Sequence, residues 1–267
     1  MWNASLIHGI NLSTFRADSA YMWQHRDGNV PVHYMATYYH HRISCDADLL
    51  DRCTEDGSFG VYSLSVDGTL VTRDRVDSVA ELGFLREAFS LGEHSRLRVL
   101  DIGSGYGRLA WRMNQCFPDV SMLCVDAVPE SAFVCEYYLS HRAVSPNVEV
   151  VPLPSLETEL SRETVDLAIA VNSLTECTVE AINWWLDLLE AHSVRHILLV
   201  PHGGCDGGRQ MFSTELPGAE RTPMVTLLEQ HGYKKISMRP KYREAAMQSY
   251  GISPTYFHLF SLSGRMV

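Results

Sequence analysis

Two periodicities of apolar and polar residues alternate along most of the chain. Short apolar runs predict strands, and segments with an apolar residue every three to four positions predict helices. The predicted strands cover residues 97–102, 120–125, 148–151, 165–171, 196–200, 234–238 and 255–262. Strands that alternate with helices predict an α/β fold with a parallel sheet and right-handed crossovers. No helical pattern separates the last two strands, so we predict an antiparallel edge strand at the C-terminal end of the sheet.

The chain ahead of this pattern is organised differently. Residues 61–73 alternate as a β-hairpin, with Asp67-Gly68 as a type I′ turn. This hairpin could support the N-terminal cap or form a contact between two copies of the chain in a homodimer. Residues 1–60 are rich in Tyr, Trp and His, whose side chains could pack on the main domain or cap a polar, ring-shaped substrate. These rings are Tyr21, Trp23, His25, His33, Tyr34, Tyr38, Tyr39, His40 and His41.

A helix is predicted between the hairpin and the first strand of the sheet. Ser78 and Glu81 have the spacing of a capping box, so we expect this helix to begin at Asp77-Ser78. The same point divides the chain into an N-terminal cap extension, residues 1–76, and a main domain, residues 77–267.

Composition limits the binding partners and the cellular compartment that we expect for this protein. The net charge is −10 and the sequence has no cluster of Lys and Arg, which argues against nucleic acid. The chain shows no basic-then-apolar leader and no apolar run long enough to span a membrane. An odd number of cysteines without a C-x-x-C pair indicates reduced thiols and a cytoplasmic protein. The cysteines are Cys45, Cys53, Cys116, Cys124, Cys135, Cys177 and Cys205.

The chemistry is concentrated where the strand at 97–102 meets the glycine-rich turn 103–107. A strand, a tight turn and a helix in this order open a nucleotide-binding unit. Asp101 lies just before the glycines, where a carboxylate can face an ammonium group or order water. Asp126 ends the next strand, a position from which a carboxylate accepts both hydroxyls of a ribose.

Together these residues resemble the class I S-adenosylmethionine-dependent methyltransferases, over about residues 78–262. The resemblance implies a Rossmann-like fold with a mostly parallel, seven-stranded sheet and S-adenosyl-L-methionine as cofactor. It assigns the glycine turn to the methionine part, Asp126 to the ribose and the segment near Leu156 to the adenine. That segment lacks the acidic residue usual in the family. The implied cofactor-binding residues are Asp101, Gly103, Ser104, Gly105, Gly107, Asp126, Ala127, Leu156 and Asn172.

A narrower resemblance concerns the acceptor. Segments 77–85, 105–109 and 172–176 are similar to the sugar O-methyltransferase family and to the mycobacterial enzymes of methylmannose polysaccharide synthesis. This implies methyl transfer to a hydroxyl of a sugar or oligosaccharide, such as a mannoside precursor of a methylated polysaccharide. O-methylation of a phenolic natural product, a non-catalytic module with the same fold and a nicotinamide dehydrogenase are the alternatives.

A protonated hydroxyl is a poor nucleophile, so a base or a metal should assist the transfer. Glu176 and His202 follow the fourth and fifth strands and are the two candidate bases, although each could be merely structural. Ser173, Tyr38, His40 and His41 are candidate contacts to the acceptor. Asp206 could join a divalent-metal site, but no clustered spacing of acidic residues and histidines demands a metal.

Overall fold

The computed structural model describes residues 9–17, 31–203, 206–215 and 220–263. Tyr21, Trp23, His25 and Cys205 of the sequence analysis lie outside these residues. The helices are α1 (Pro31–Ile43), α2 (Ala47–Arg52), α3 (Arg73–Phe89), α4 (Arg108–Cys116), α5 (Pro129–His141), α6 (Leu156–Arg162), α7 (Val179–Ala191), α8 (Met224–Gln230) and α9 (Ala245–Tyr250). The strands are β1 (Ser63–Val66), β2 (Thr69–Thr72), β3 (Arg98–Ile102), β4 (Ser121–Val125), β5 (Val148–Val150), β6 (Leu167–Val171), β7 (His196–Val200), β8 (Tyr233–Pro240) and β9 (Tyr256–Leu262).

Seven strands form one sheet in the order β5-β4-β3-β6-β7-β9-β8. Every neighbouring pair is parallel except the two pairs that include β9. The predicted Rossmann-like α/β fold, mostly parallel with one antiparallel strand, is therefore confirmed. The prediction of an antiparallel edge strand is wrong in detail, because β9 lies between β7 and β8 and the edge belongs to β8.

The strand order creates a crevice at the point where the chain changes direction. From β3 the chain moves outward to β4 and β5, and it then returns to β6 on the other side of β3. Loops after β3 and β6 therefore leave in opposite directions, and ligands of open α/β sheets bind in such a crevice at the carboxyl ends of the strands.

Alternating side chains along β3 serve two separate hydrophobic layers. Val99 packs with the layer that contains α3, α4 and α5, whereas Leu100 and Ile102 pack with the layer of α6, α7 and α8. Helices thus cover both faces of the sheet, and the apolar runs of the parallel strands are buried on both sides.

The hairpin prediction is confirmed, but the predicted start of the following helix is wrong. Asp67 and Gly68 have φ values of +50° and +74°, as a type I′ turn requires. Helix α3 begins at Arg73, and the hydroxyl of its N-cap Thr72 accepts the backbone N–H of Arg75. The chain passes from β2 into α3 with no loop between, so no turn residue marks the start. The predicted domain boundary at residue 76 consequently falls inside this helix.

Ser78 and Glu81 do not form a capping box, because both lie in the interior of α3. The Ser78 hydroxyl donates to the carbonyl of Asp74, and Glu81 forms an ion pair with Arg108. Two further short helices, α6 and α9, were not predicted. Helix α9 interrupts what the pattern indicates as a long loop between the last two strands.

A buried ionic cluster joins the N-terminal part of the chain to the main sheet layer. Arg16 donates to Glu55 at 2.7 Å and to Asp74 at 2.5 Å, and Arg112 also donates to Glu55 at 2.7 Å. The side chains of all four residues are fully buried. The cluster therefore holds the segment around Arg16, the first turn of α3 and α4 together.

None of the helices in the described part of the chain is both long and apolar enough to cross a membrane.

Candidate cofactor and acceptor site

The glycine turn leaves β3 and is held against the end of β4. The backbone N–H groups of Gly103 and Ser104 donate to the carbonyl of Val125, at 2.8 and 3.1 Å. The N–H of Gly105 donates to Oδ2 of Asp126 at 3.1 Å. The turn and the carboxylate at the end of β4 therefore form one structural unit, as the two sequence signals together predict.

Glycine is required at position 103 for two reasons. Its φ is +73°, a conformation that L side chains rarely adopt. A Cβ at this position would also overlap the Cβ of Ser173, whose hydroxyl donates to the carbonyl of Ile102 at 2.5 Å. The loops after β3 and β6 thus approach each other closely at the centre of the crevice.

Asp126 is a buried carboxylate whose two oxygens accept backbone hydrogen bonds. Besides Gly105, the N–H of Val128 donates to its Oδ1 at 2.9 Å. Burial raises the pKa of Asp126 to about 6, and the two N–H donors oppose this shift. A ligand that donates hydroxyls to this carboxylate would replace part of the lost hydration.

Asp101 is buried more completely. Among the described residues no donor forms a hydrogen bond with its carboxylate. Burial raises its pKa to about 7; the nearby Arg108 opposes the shift and the nearby Glu81 adds to it. An unsatisfied carboxylate that lines a cavity is well suited to a cationic ligand.

Two cavities meet at the glycine turn. The smaller, about 200 Å³, has a mixed polar and apolar lining that includes Asp126, Ala127, Val128, Leu174 and Trp185. The larger, about 420 Å³, extends from Asp101 towards α3 and the segment before β9. The residues common to both are Gly103, Gly105, Val171, Asn172 and His202. One elongated ligand could therefore occupy the smaller cavity and reach into the larger one across this junction.

The two candidate bases form a single hydrogen-bonded pair at the junction. Nε2 of His202 lies 2.7 Å from Oε1 of Glu176. Glu176 lines the smaller cavity, and His202 lines both. The residues are far apart in sequence, but they follow β6 and β7, which are neighbours in the sheet.

One wall of the larger cavity is charged, and sequence analysis missed most of it. Arg73, Asp77 and Glu81 follow one another at successive turns of α3 and all line the cavity. Lys241 approaches from the opposite side, and its Nζ lies 2.5 Å from Oδ1 of Asp77. The i, i+4 spacing of three charged residues on a helix that is otherwise buried was the available signal for this wall.

The structure does not bring Tyr38, His40 and His41 to these cavities. Tyr38 and His41 are buried in the packing of α1. The ring of His41 contacts the carbonyl of Val76, and burial lowers its pKa to about 3. His40 lies 3.6 Å from Glu244 and, with His41, lines a groove that shares Lys241 with the larger cavity. Their role as acceptor contacts stays a prediction, and none of the three residues lines either cavity.

Two of the predicted cofactor residues have packing roles instead. Leu156 is fully buried in the layer of α6 and α7 and lines neither cavity. Gly107 precedes α4, where a Cβ would lie 2.9 Å from Sγ of Cys135 and 3.0 Å from Leu139. Its glycine therefore permits α4 to pack on α5. The other predicted cofactor residues, Ser104 and Asn172 among them, line one cavity or both.

Ser173, a predicted acceptor contact, lines the smaller cavity and not the larger one. The carboxylate of Asp206 accepts the backbone N–H groups of Gly208 and Gln210. In the described part of the chain no three His, Cys, Asp or Glu side chains are grouped as a metal site.

No protein-family model matches the sequence, and no curated protein matches it significantly. Several solved structures, methyltransferases among them, are similar in fold. A precorrin-6y C5,15-methyltransferase from Geobacter metallireducens has a TM-score of 0.44 and 15% identity, over 69% of this chain and 88% of that one. A SAM-dependent methyltransferase from Aquifex aeolicus has a TM-score of 0.45 and 14% identity, over 68% and 89%. A protein from Pyrococcus horikoshii has a TM-score of 0.48 and 14% identity, over 72% and 91%. At such identities the likeness concerns the fold alone.

Proposed function

We propose that the protein is an S-adenosylmethionine-dependent O-methyltransferase that acts on a hydroxyl of a sugar or oligosaccharide. The observation that carries this proposal is the joint placement of Asp101, the glycine turn and Asp126 along two connected cavities. A carboxylate with unmet hydrogen-bonding capacity stands at each end of the turn. This arrangement suits a ligand with a ribose at one end and a cationic amino-acid group at the other.

The residues present fit such a cofactor. Asp126 would accept the ribose hydroxyls, and the apolar side chains Ala127, Val128 and Leu174 beside it would contact the adenine. Asp101 would face the ammonium group of the methionine part. The bound cofactor supplies a methyl group on a positively charged sulfur, which is the driving force of the transfer.

The protein's task is then to orient the acceptor and to remove one proton. The acceptor oxygen must lie in line with the methyl group and the sulfur, which is a requirement on position. His202 lines the larger cavity, where the acceptor would bind, so its ring would take the hydroxyl proton. Glu176 would orient the ring and stabilise the imidazolium that forms, as the carboxylate does in other His–acid pairs.

The lining of the larger cavity favours a polar acceptor over a phenol. Among the described residues that line it, Tyr106 is the one Phe, Tyr or Trp, and its hydroxyl is bonded to Asp74. Aromatic ligands are usually held against several apolar or aromatic side chains. The charged and hydroxyl-bearing lining supports a hydroxyl-rich acceptor, and a mannoside precursor of a methylated polysaccharide is the narrower member of that class.

The test is transfer of a labelled methyl group from S-adenosylmethionine to a panel of mono- and disaccharides, with phenols included. We expect a saccharide to be methylated, and we expect His202→Gln and Glu176→Gln each to lower the rate about 100-fold. Binding of S-adenosylhomocysteine, measured on both variants, separates loss of the proton acceptor from loss of a cofactor contact, because both residues also line the smaller cavity. His231→Gln is the matched control, because His231 also contacts carboxylates but lines neither cavity. Methylation of phenols alone would contradict the acceptor class, and full activity of both variants would contradict the base.

A further inference from the structure

We propose that Arg16 is a positioning residue for the cofactor, because it fixes the glycine turn by way of Asp74 and Tyr106. The affinity for the cofactor then depends on the N-terminal part of the chain, although Arg16 lines neither cavity. This proposal rests on the proposed function and adds to it the contacts that hold the glycine turn ready for the ligand.

Tyr106 carries the one large side chain of the glycine turn. The other residues of the turn, 103–107, are three glycines and a serine, and the φ values of the glycines are all positive. Such a turn has many conformations open to it unless it is held, and selecting one of them on binding costs entropy. An anchor at Tyr106 reduces this cost, so it should raise the affinity for the cofactor.

The hydroxyl of Tyr106 is directed into the buried ionic cluster. It donates to Oδ2 of Asp74 at 2.8 Å. Asp74 is fully buried and lines neither cavity, so a ligand in the cavities does not reach this hydroxyl. Removal of the hydroxyl would therefore act on the ligand through the position of the turn, and not through loss of a direct contact.

Arg16 holds the same oxygen of Asp74 in place. Its Nη2 donates to Oδ2 at 2.5 Å, so the guanidinium group and the Tyr106 hydroxyl share one acceptor atom. Burial alone would raise the pKa of Asp74, but the neighbouring Arg16 and Arg112 outweigh it and hold the pKa below its usual value. Asp74 is therefore ionised, and an ionised acceptor forms a stronger hydrogen bond than a neutral one.

The segment around Arg16 is itself fixed in position. The backbone N–H of Arg16 donates to the carbonyl of Phe59 at 3.2 Å, and its Nη1 donates to the carbonyl of Ser58 at 3.0 Å. The neighbouring Phe15 is fully buried, and the centre of its ring lies 5.6 Å from that of Tyr106. Two adjacent residues of the N-terminal part therefore support Tyr106, one at its ring and the other at the acceptor of its hydroxyl.

Calorimetric titration with S-adenosylhomocysteine tests the proposal, with the unfolding of each variant in urea measured alongside. Tyr106→Phe removes the hydroxyl and keeps the ring. We expect it to weaken the binding about tenfold, which is the scale of one hydrogen bond to a charged group.

Tyr233→Phe is the matched control. Tyr233 is also buried and its hydroxyl donates at 2.8 Å, to the carbonyl of Val194, but it lines neither cavity. Both variants lose one buried hydrogen bond, so both should unfold at a lower concentration of urea. The control should nevertheless bind S-adenosylhomocysteine within about twofold of the unaltered protein, because its site is independent of the glycine turn.

A second substitution tests the path through Asp74. Arg16→Lys keeps the positive charge but lacks the planar fork that donates to Glu55 and Asp74 together. We expect it to weaken the binding about threefold when Tyr106 is present, and to have no further effect in combination with Tyr106→Phe. The combined variant no longer has the link between Asp74 and the turn, whereas two independent effects would add.

The proposal is overturned if Tyr106→Phe binds S-adenosylhomocysteine as tightly as the unaltered protein, or if Tyr233→Phe loses as much affinity. Full additivity of Arg16→Lys and Tyr106→Phe would also overturn it. Because Tyr106→Phe removes only a hydroxyl group, it tests the proposal even if the Arg16 variant fails to fold. Failure of the unaltered protein to bind S-adenosylhomocysteine is a different result, which overturns the proposed function itself.

Discussion

Two buried carboxylates, Asp101 and Asp126, decide at the scale of single residues what the glycine turn can bind. Within the described part of the chain, neither carboxylate has a cationic side chain in hydrogen-bonding contact, and burial raises the pKa of both. A ligand that brings a cation to Asp101 and hydroxyls to Asp126 would stabilise the ionised forms, which burial disfavours in the free protein. Binding and proton release are therefore coupled at this site.

The coupling predicts a pH dependence of cofactor binding. With pKa values of about 7 for Asp101 and about 6 for Asp126, both carboxyls are largely protonated at pH 5.5 in the free protein. Since the bound state favours the ionised forms, affinity should rise with pH and level off above about pH 8. Titrations with S-adenosylhomocysteine at several pH values, in buffers of different ionisation enthalpy, should show protons released near pH 6.5. Affinity that is constant or falls over this range would contradict the assignment.

The positions of residues at the ends of strands could be predicted from the sequence, whereas their roles stay predictions. Asp101, Asp126, Glu176 and His202 all lie at carboxyl ends of predicted parallel strands, where the fold itself places the crevice. Roles assigned from composition were not predictable in the same way. Tyr38 and His41 are suited equally to packing and to ligand contact, and only the tertiary structure shows that α1 turns them inward.

At the scale of elements, the glycine turn depends on the close approach of the loops after β3 and β6. Gly103 and Gly68 offer a matched comparison, because their φ values are +73° and +74°. Open space surrounds Gly68, whereas the loop that contains Ser173 lies against Gly103. Both positions therefore require a positive φ. They differ in that a Cβ at position 103 would contact Ser173, whereas a Cβ at position 68 would contact none of the described residues.

We therefore expect Gly68→Ala to cost about 1 kcal/mol of unfolding free energy, from the positive φ alone. Gly103→Ala should cost about 2 kcal/mol more, because the loop after β6 must move to admit the methyl group. It should also weaken S-adenosylhomocysteine binding about tenfold, an effect that Gly68→Ala should lack. Urea unfolding and calorimetry measure both quantities. Equal losses in the two variants would show that the approach of the loops is unimportant.

Elements with a strong pattern were predicted well, and those that depend on tertiary contacts were not. The apolar runs of the sheet and the Asp67-Gly68 turn carry their signal locally. The start of α3 carries no such local signal, because Thr72 is both the last residue of β2 and the N-cap of the helix. The inner position of β9 was also beyond the sequence, since strand order is set by packing between distant segments.

The buried ionic cluster is the feature that matters most at the scale of the whole molecule. Glu55 accepts from Arg16, Arg112 and Thr72, and the hydroxyl of Tyr106 in the glycine turn donates to Asp74. Buried charges are costly unless each has its partners. The cluster therefore couples the N-terminal part to the cofactor site, and we expect residues 1–76 and 77–267 to unfold together.

Glu55→Gln tests this coupling. Among the residues that the structure describes, the substitution leaves two buried guanidinium groups with Asp74 as their remaining carboxylate, so we expect a loss of about 3 kcal/mol or more of unfolding free energy. Glu163→Gln, which removes an exposed partner of Arg98, should cost no more than about 1 kcal/mol. Far-UV circular dichroism and tryptophan fluorescence should report one coincident transition in urea. Two separate transitions in the unaltered protein would contradict a single cooperative unit.

The central claim is that the cavities at the glycine turn hold S-adenosylmethionine, and calorimetric titration with S-adenosylhomocysteine tests it most directly. We predict one binding site per chain, and Asp126→Ala should weaken the affinity at least about tenfold through loss of the contact to the ribose. Absence of binding, unchanged affinity in the variant, or stabilisation by NAD with none by S-adenosylhomocysteine would contradict the claim.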